Sequence, residues 1–294
     1  MSKFHYLQLD VFPARRGGGN PLGVVVDARG WSEADMQAFA AWTTLVETTF
    51  LLPPTSAGAD YLLRIFTPTN EIPFAGHPTI GSAHAAITSG FASARNAVLV
   101  QQCAAGLLPI RVEGDDFARE LFVQAPAARL VAEPQSVSAR LHGVLNGQAL
   151  GRLPPALIEG GRRWWVVEFA DESTVRNWRP DHAAIRALAL EDRCLGVCVF
   201  ARADNSAFDL VVRAFPAGVG IVEDPASGAA NGLIAAWIAQ SEPDGALARG
   251  YRVSQGREIG HDARMVVRID ADRAVWVGGR SDIVVDGTLS WPLD

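Results

Sequence analysis

The sequence predicts an α+β protein made of two related halves, each a curled, mostly antiparallel sheet around one central helix. A polar-Pro-x-x-Gly-small-Ala motif occurs twice, at 77–83 and at 224–230. Each copy follows an Arg-x-Phe strand, at 64–66 and 213–215. Each copy also runs into a helix-like segment of small residues. In the first copy this segment, 79–89, is small on all sides, which is typical of a helix enclosed by a curled sheet. Strand-like segments otherwise dominate the chain.

In the first half, alternating or β-branched segments predict strands, and capped or small-residue segments predict helices. The predicted strands are 4–12, 22–26, 43–52, 61–66 and a hairpin of 97–101 with 107–112. Ser32 begins a predicted helix that ends at Trp42, with Asp35 placed to complete a capping box. The second predicted helix is 79–89. Between the first two strands, the glycines at 17–19 predict a tight turn.

The second half repeats this scheme loosely. Its predicted strands are 164–169, 194–201, 208–215, 252–253 and 265–269, and its predicted helices are 181–190 and 226–240. No GxGxxG motif follows a strand, so a nucleotide-binding βαβ alternation is not indicated. The stretch 125–134 contains two prolines and is the best linker candidate. We therefore predict domains at 1–128 and 129–294, with the last strand free to return to the first half.

Composition narrows the class of protein. The chain has 294 residues, 49% hydrophobic and 20% charged, with a formal net charge of −6. The only lysine is Lys3, so nucleic acid is not expected as a partner. No apolar stretch approaches the roughly 20 residues that span a bilayer, and the N-terminus has no signal-like apolar region. Three cysteines without a CxxC pair disfavour a disulfide framework or zinc cage and favour a reducing cytoplasm.

The repeated motif predicts two helix starts. Asp224 and Pro225 have the residue types of an N-cap and a first helical position, and His77 with Pro78 is a weaker version. Helix starts offer unpaired N–H groups and the positive end of the helix dipole, so two of them at one cleft would bind a carboxylate or another anion. The glycines that would admit a ligand are Gly76, Gly81 and Gly228. The alternative is that both motifs are ordinary helix caps.

Glu47 is the other prominent residue, because it lies in an otherwise uncharged segment, 45–52. Its carboxylate either faces water or is buried for use. If it is buried beside apolar walls, its pKa rises and it can exchange protons near neutral pH. Asn20 follows the glycine turn and either borders the same site or serves the turn alone. His84 lies within a predicted helix, where packing is the expected role. Cys194 and Cys198 are expected to be unreactive residues that pack within a hydrophobic strand.

At these motifs the sequence resembles the PhzF (phenazine-biosynthesis) family of isomerases, relatives of diaminopimelate epimerase and proline racemase. The matching stretches are Asp-Val-Phe at 10–12, Gly-Asn-Pro at 19–21, Glu-Thr-Thr-Phe at 47–50, Phe-Ala-Gly-His-Pro-Thr at 74–79 and Glu-Asp-Pro-Ala-Ser-Gly at 223–228. Gln255 and Gly256 continue the pattern. It is the combination that is specific, since each piece alone is short.

The resemblance implies a diaminopimelate epimerase-like fold of two pseudo-symmetric domains with the active site between them. It also implies a homodimer and proton transfer without a cofactor or metal. Glu47 matches the family's catalytic glutamate, and His77 and Asp224 match polar residues of the same cleft, so these three are the predicted catalytic residues. The predicted substrate-binding residues are Asn20, Gly76, Ser82, Gly228 and Ala229.

Several positions depart from the family pattern and leave the substrate open. Val46 and Ala229 replace common hydroxyl residues, and the turn at 260–263 differs. Neither Ala75 nor Asp224 is a cysteine, which excludes the two-thiol racemisation of other relatives. The chain is therefore predicted to be a cofactor-independent isomerase that moves a carbon-bound proton on a small carboxylate-bearing substrate. The alternatives are a non-catalytic small-molecule binding protein, or a lyase or dehydratase that uses the same site.

Overall fold

The computed structural model describes residues 2–115, 118–132, 139–204 and 207–293. The chain forms two compact units, one of Met1–Gln124 with Gly278–Asp294 and one of Ala125–Val277. Of the helices in the described ranges, none combines the length and the apolar character needed to cross a membrane.

Strands and helices are numbered separately in chain order. The strands are β1 (Ser2–Val11), β2 (Asn20–Val26), β3 (Glu47–Leu52), β4 (Tyr61–Phe66), β5 (Glu71–Ile72), β6 (Val98–Cys103), β7 (Gly106–Glu113), β8 (Glu120–Gln124), β9 (Arg129–Ala132), β10 (Ala156–Gly160), β11 (Arg162–Glu168), β12 (Val197–Arg202), β13 (Leu210–Phe215), β14 (Gly250–Gln255), β15 (Ala263–Ile269), β16 (Val275–Gly279) and β17 (Ser281–Trp291). The helices are α1 (Glu33–Thr43), α2 (Gly76–Thr88), α3 (Ala139–Leu145), α4 (Glu172–Asn177), α5 (His182–Glu191) and α6 (Gly228–Ser241).

The two units repeat one pairing scheme. In the first, the strands lie in the order β17-β1-β2-β3-β4-β6-β7-β8, antiparallel except for β2–β3 and β4–β6. In the second, the order is β9-β10-β11-β12-β13-β14-β15, antiparallel except for β11–β12 and β13–β14. The series antiparallel, parallel, antiparallel, parallel, antiparallel thus runs over β1–β7 and again over β10–β15. This repeat confirms the predicted α+β fold of two related, mostly antiparallel halves.

One apolar helix per unit connects the strands of the second parallel pair. Helix α2 lies between β4 and β6 in the chain and packs on β1, β2, β3 and β8, with most of its residues buried. Helix α6 lies between β13 and β14 and packs on β10, β11 and β15. The small side chains on all faces of α2 permit its enclosure, as the sequence predicted.

Gly81 shows how closely α2 approaches its sheet. A Cβ atom at this position would lie 2.5 Å from Leu22 Cδ2 and 2.8 Å from Val11 Cγ2. The absence of a side chain at Gly81 therefore allows this close contact between helix and sheet. That Gly81 admits a ligand to the backbone stays a prediction.

The ends of α1 show a confirmed and a wrong prediction. Ser32 caps the helix through a capping box, in which its hydroxyl accepts from the Asp35 N–H and Asp35 accepts from the Ser32 N–H. The predicted strand 43–52, however, begins only at Glu47. Thr43 ends α1 with its hydroxyl on the Ala40 carbonyl, and Thr44 takes a left-handed conformation with φ 56°. These β-branched residues serve a helix end instead of a strand.

The predicted linker is not an open connection. Of the stretch 125–134, residues 129–132 form β9, which pairs with β10. Residues 133–134 lie outside the described residues. The division between the two units falls at Gln124 and Ala125, with the chain returning to the first unit at Gly278.

Candidate active site

Both faces of β3 are covered, and this explains the uncharged run around Glu47. Thr48 contacts Thr43 of α1 through their hydroxyls at 2.9 Å, whereas Thr49 contacts Ser82 of α2 at 2.8 Å. Because side chains alternate along a strand, Glu47 shares the α2 face with Thr49. Glu47 is 8% exposed. Of the two sequence alternatives, the structure therefore supports a buried carboxylate.

Glu47, His77 and Asn20 form a connected array in the first unit. Glu47 Oε2 lies 3.3 Å from His77 Nε2, and Asn20 Nδ2 donates to His77 Nδ1 at 3.2 Å. Asn20 is the first residue of β2 and is fully buried, and His77 follows the first residue of α2 and is 6% exposed. Strand β2 lies beside β3, with Leu22 opposite Glu47, so the sheet itself sets this array.

Burial and the Asn20 contact define the state of the imidazole. Burial lowers the pKa of His77 to about 3, so the ring is neutral near neutral pH. Because an amide N–H can only donate, Nδ1 is the acceptor and the ring proton is on Nε2. Nε2 contacts Glu47 without the alignment of a hydrogen bond and has no other hydrogen-bond partner among the described residues. A buried, unsatisfied donor costs about 1–3 kcal/mol, a cost that is tolerated mainly where the group has a use.

The other predicted binding residues of the first unit occupy different settings. Gly76 is the first residue of α2, one position before His77. Ser82 is fully buried further along the same helix. Because Thr49 donates its hydroxyl proton to the Gly23 carbonyl, the Ser82 hydroxyl donates to Thr49. The structure thus commits the Ser82 hydroxyl to the contact between α2 and β3 and does not bring it to His77.

In the second unit, Asp224 lies ahead of the helix and does not cap it. Helix α6 begins at Gly228 with Ser227 as its N-cap, and Ala229 is its second residue. The Asp224 carboxylate instead accepts from the Ala226 N–H at 3.1 Å. Burial raises the pKa of Asp224, and this effect exceeds the lowering caused by the hydrogen bond from the Ala226 N–H. The predicted Asp-Pro helix start is therefore wrong. The Asp224 carboxylate closes a turn that is followed by a serine cap.

The same correction applies to the first motif and changes the register of the repeat. Helix α2 starts at Gly76 with Ala75 as an N-cap that makes no side-chain hydrogen bond, so His77 and Pro78 lie inside its first turn. When the two repeats are aligned on their helix starts, Gly76 and Gly228, His77 aligns with Ala229 and Asp224 aligns with Ile72. The two units thus offer different chemistry, an imidazole in a helical turn and a carboxylate in the preceding loop.

Two arginine–glutamate pairs support this register. Arg64 in β4 binds Glu71 with two hydrogen bonds, and Arg213 in β13 binds Glu223 in the same way. Each glutamate precedes its helix start by the same number of residues. The Arg-x-Phe repeat in the sequence was the signal for these pairs, which hold the loops that lead into α2 and α6.

Gln255 holds the Asp224 turn from β14. Its Nε2 donates to the Asp224 carbonyl at 2.7 Å, and its Oε1 accepts from Asn231 Nδ2 at 3.0 Å and from the Ser227 N–H at 3.3 Å. Gln255 is fully buried. The sequence pattern included Gln255 as part of the resemblance but gave it no role. The structure shows that it fixes both the turn and the first turn of α6.

Burial determines the protonation state of the two cysteines in the second unit. Burial raises the pKa of Cys194 to about 11 and that of Cys198 further, so both thiols stay protonated near neutral pH. Over the ranges that the structure describes, no group of three or more His, Cys, Asp or Glu side chains is placed to hold a metal ion.

The neutral state of His77 predicts a specific dependence of stability on pH. The unfolded chain binds a proton on this histidine near its ordinary pKa of about 6.5, whereas the folded chain does so only near 3. The contribution of His77 to the free energy of unfolding is thus fully present above pH 6.5. It falls as the pH drops from there toward 3, and the loss is about 2 kcal/mol at pH 5. We expect His77→Asn to reduce the slope of the urea midpoint against pH. Equal slopes in wild type and His77→Asn would contradict this interpretation.

The comparisons with known proteins agree with the fold and with the motifs. A family model described as "Phenazine biosynthesis-like protein" (PhzC-PhzF) matches residues 9–287. The chain is 32% identical over 295 residues to the Schizosaccharomyces pombe protein "Antisense-enhancing sequence 1", covering 98% of this chain and 99% of that one. It is 30% identical over 291 residues to the trans-2,3-dihydro-3-hydroxyanthranilate isomerase of Pseudomonas aeruginosa, covering 96% and 98%.

Solved structures show the same fold. The Bacillus anthracis phenazine biosynthesis protein of the PhzF family superposes with a TM-score of 0.82 at 24% identity, covering 99% of this chain and 100% of that one. A hydroxyproline epimerase from Agrobacterium vitis superposes with a TM-score of 0.64 at 13% identity, covering 98% and 92%. At these identities the likeness concerns the fold alone.

The fold and the named relatives together define the class as isomerases built on the epimerase-like fold. Within that class, the chain belongs to the phenazine biosynthesis-like (PhzC-PhzF) family. The resemblance predicted from the sequence motifs is confirmed.

Proposed function

We propose that this protein is a cofactor-independent isomerase that moves a carbon-bound proton on a small carboxylate-bearing molecule, with Glu47 as the acid/base. The observation that carries the proposal is the buried pair of Glu47 and His77. It places a carboxylate 3.3 Å from an imidazole Nε2–H that has no hydrogen-bond partner among the described residues. A general base must lie within reach of the proton that it removes, and a neighbouring group must orient the substrate.

His77 is proposed to orient the substrate. Because its pKa is lowered to about 3, the ring does not supply an imidazolium proton near neutral pH. Its Nε2–H can donate a hydrogen bond to a substrate oxygen while Glu47 removes the proton from carbon. The amide of Asn20 keeps Nε2 in the protonated tautomer, which gives Asn20 a positioning role.

Asp224 and the helix starts enter the proposal through the family motif. The pKa of Asp224 is raised by burial, which suits a carboxyl group that exchanges a proton. The amides at Gly76, Gly228 and Ala229 are proposed to bind the substrate carboxylate, because each lies at the start of a helix. The resemblance also supports a homodimer, which light scattering on the purified chain can check.

The test uses the substrate named for a relative as a probe. Trans-2,3-dihydro-3-hydroxyanthranilate is incubated with the protein in D₂O, and deuterium in the recovered compound is measured together with the products. Deuterium on carbon, in an isomer of unchanged composition, supports the isomerase. Loss of water from the probe would indicate a dehydratase that uses the same first step. Saturable binding of the probe with neither deuterium incorporation nor product formation would identify a binding protein and overturn the proposal.

The absence of a cofactor from this mechanism gives a separate prediction. Activity on the probe should survive exhaustive dialysis against EDTA, because the two groups proposed to exchange protons, Glu47 and Asp224, are side chains of the protein. The measurement compares turnover before and after dialysis, with a mock-dialysed sample as control. Loss of activity that one metal ion restores would contradict metal-free proton transfer.

A further inference from the structure

The first unit contains a polar cavity that the proposed mechanism does not use. Its volume is about 600 Å³, which lies within the range typical of small-molecule sites. It lies beside the C-terminal half of α2, the end of β1 and the start of β17. The polar side chains that line it are Asp10, Arg16, His84, Arg119, Arg280 and Ser281, with Asp282. None of the residues proposed for proton transfer or substrate binding is part of this lining.

The charges of the cavity favour an anion. The three arginines, Arg16, Arg119 and Arg280, face two carboxylates. Of these, Asp10 is already engaged, because its two oxygens accept from the N–H groups of Gly17 and Gly19, each at 2.7 Å. Asp282 lies 3.3 Å from Arg280. The lining therefore carries three guanidinium groups and two carboxylates.

Two buried polar atoms of the cavity lack a partner. Ser281 is 5% exposed, and its Oγ makes no hydrogen bond to the described residues. The same holds for Nδ1 of His84, a ring that burial keeps neutral by lowering its pKa to about 4. A buried hydroxyl without a partner costs free energy that a bound ligand can return. Ser281 therefore points to a ligand independently of the arginines.

We propose that this cavity binds a small organic anion, whose phosphate or carboxylate group is held by the arginines and by the Ser281 hydroxyl. Guanidinium groups present paired N–H donors that match the oxygens of either group. The volume exceeds that of an inorganic ion, so the remainder of the ligand fills the space beside His84. This site is additional to the one proposed for proton transfer.

The test is calorimetric titration of the full chain with phenyl phosphate and with benzoate, at constant ionic strength. The two probes share a ring and differ in the anionic group, so the tighter one identifies the preferred group. We expect saturable binding of at least one probe, with one site per chain outside the proposed active site. Arg119→Gln and Arg280→Gln should each weaken it about tenfold or more. Arg29→Gln, which removes an exposed charge paired with Asp27, is the matched control and should have no effect.

Two further variants keep the test decisive if an arginine variant fails to fold. Ser281→Ala removes only the orphan hydroxyl and should weaken binding about five- to tenfold with an unchanged melting temperature. Glu47→Gln should leave this binding unchanged even though it removes the proposed base. Absence of saturable binding, equal loss in Arg29→Gln, or loss in Glu47→Gln would overturn the second site. None of these results would bear on proton exchange at Glu47.

Discussion

Glu47→Gln is expected to lower proton exchange on the probe by about 10²–10⁴-fold while the fold is retained. The substitution keeps the size of the side chain and removes only the group that takes the proton. Because Glu47 lies at the first position of β3 and β3 is covered on both faces, the amide can occupy the same space. The measurement is deuterium incorporation together with the melting temperature of each variant.

Glu33→Gln is the matched control for Glu47. It makes the same chemical change on an exposed side chain at the start of α1 and should leave exchange near the wild-type rate. Full turnover in a Glu47→Gln protein that melts normally would exclude Glu47 as the base. If the variant shows neither proton exchange nor a cooperative melting transition, Glu47 is needed for the fold and its catalytic role is not supported.

The sequence was a good guide to elements and to the family. The strand at 61–66 and the capping box at Ser32 were predicted from local pattern alone. Local pattern succeeds here because hydrophobic alternation and cap chemistry are properties of neighbouring residues. It failed at Thr43 and Thr44, where β-branched residues end a helix that is stabilised by its packing on β3.

The site was less predictable because its contacts are distant in the chain. Glu47 was identified from its isolation among apolar residues, but that pattern could not decide between exposure and burial. The contact from Asn20 to His77 depends on β2 lying beside β3 under the start of α2. No spacing in the sequence encodes that contact.

The repeat shows the same limit. Aligning the prolines of His77-Pro78 and Asp224-Pro225 gave a convincing match of residue types, but the helix starts and the arginine–glutamate pairs set a different register. Small residues and prolines recur too often near helix starts to fix an alignment. An arginine–glutamate ion pair is more informative, because it joins two defined positions.

Arg213→Met is expected to cost about 3–5 kcal/mol in the free energy of unfolding, the largest stability effect expected here. Both Arg213 and Glu223 have side chains that are 4% exposed, so removal of the guanidinium leaves a buried carboxylate uncompensated. Arg213 also donates to the carbonyls of Val175 and Trp178, which would lose their donor. Urea unfolding of the variant measures this effect as a shift of the midpoint.

The internal repeat supplies the control. Arg64→Met breaks the equivalent pair with Glu71, whose side chains are 23% and 30% exposed, and should cost only about 1 kcal/mol because water solvates the remaining carboxylate. The double variant Arg213→Met with Glu223→Leu should recover part of the loss, since it removes the buried charge as well. Equal losses at Arg213 and Arg64, or no recovery in the double variant, would show that burial of the pair does not control its contribution.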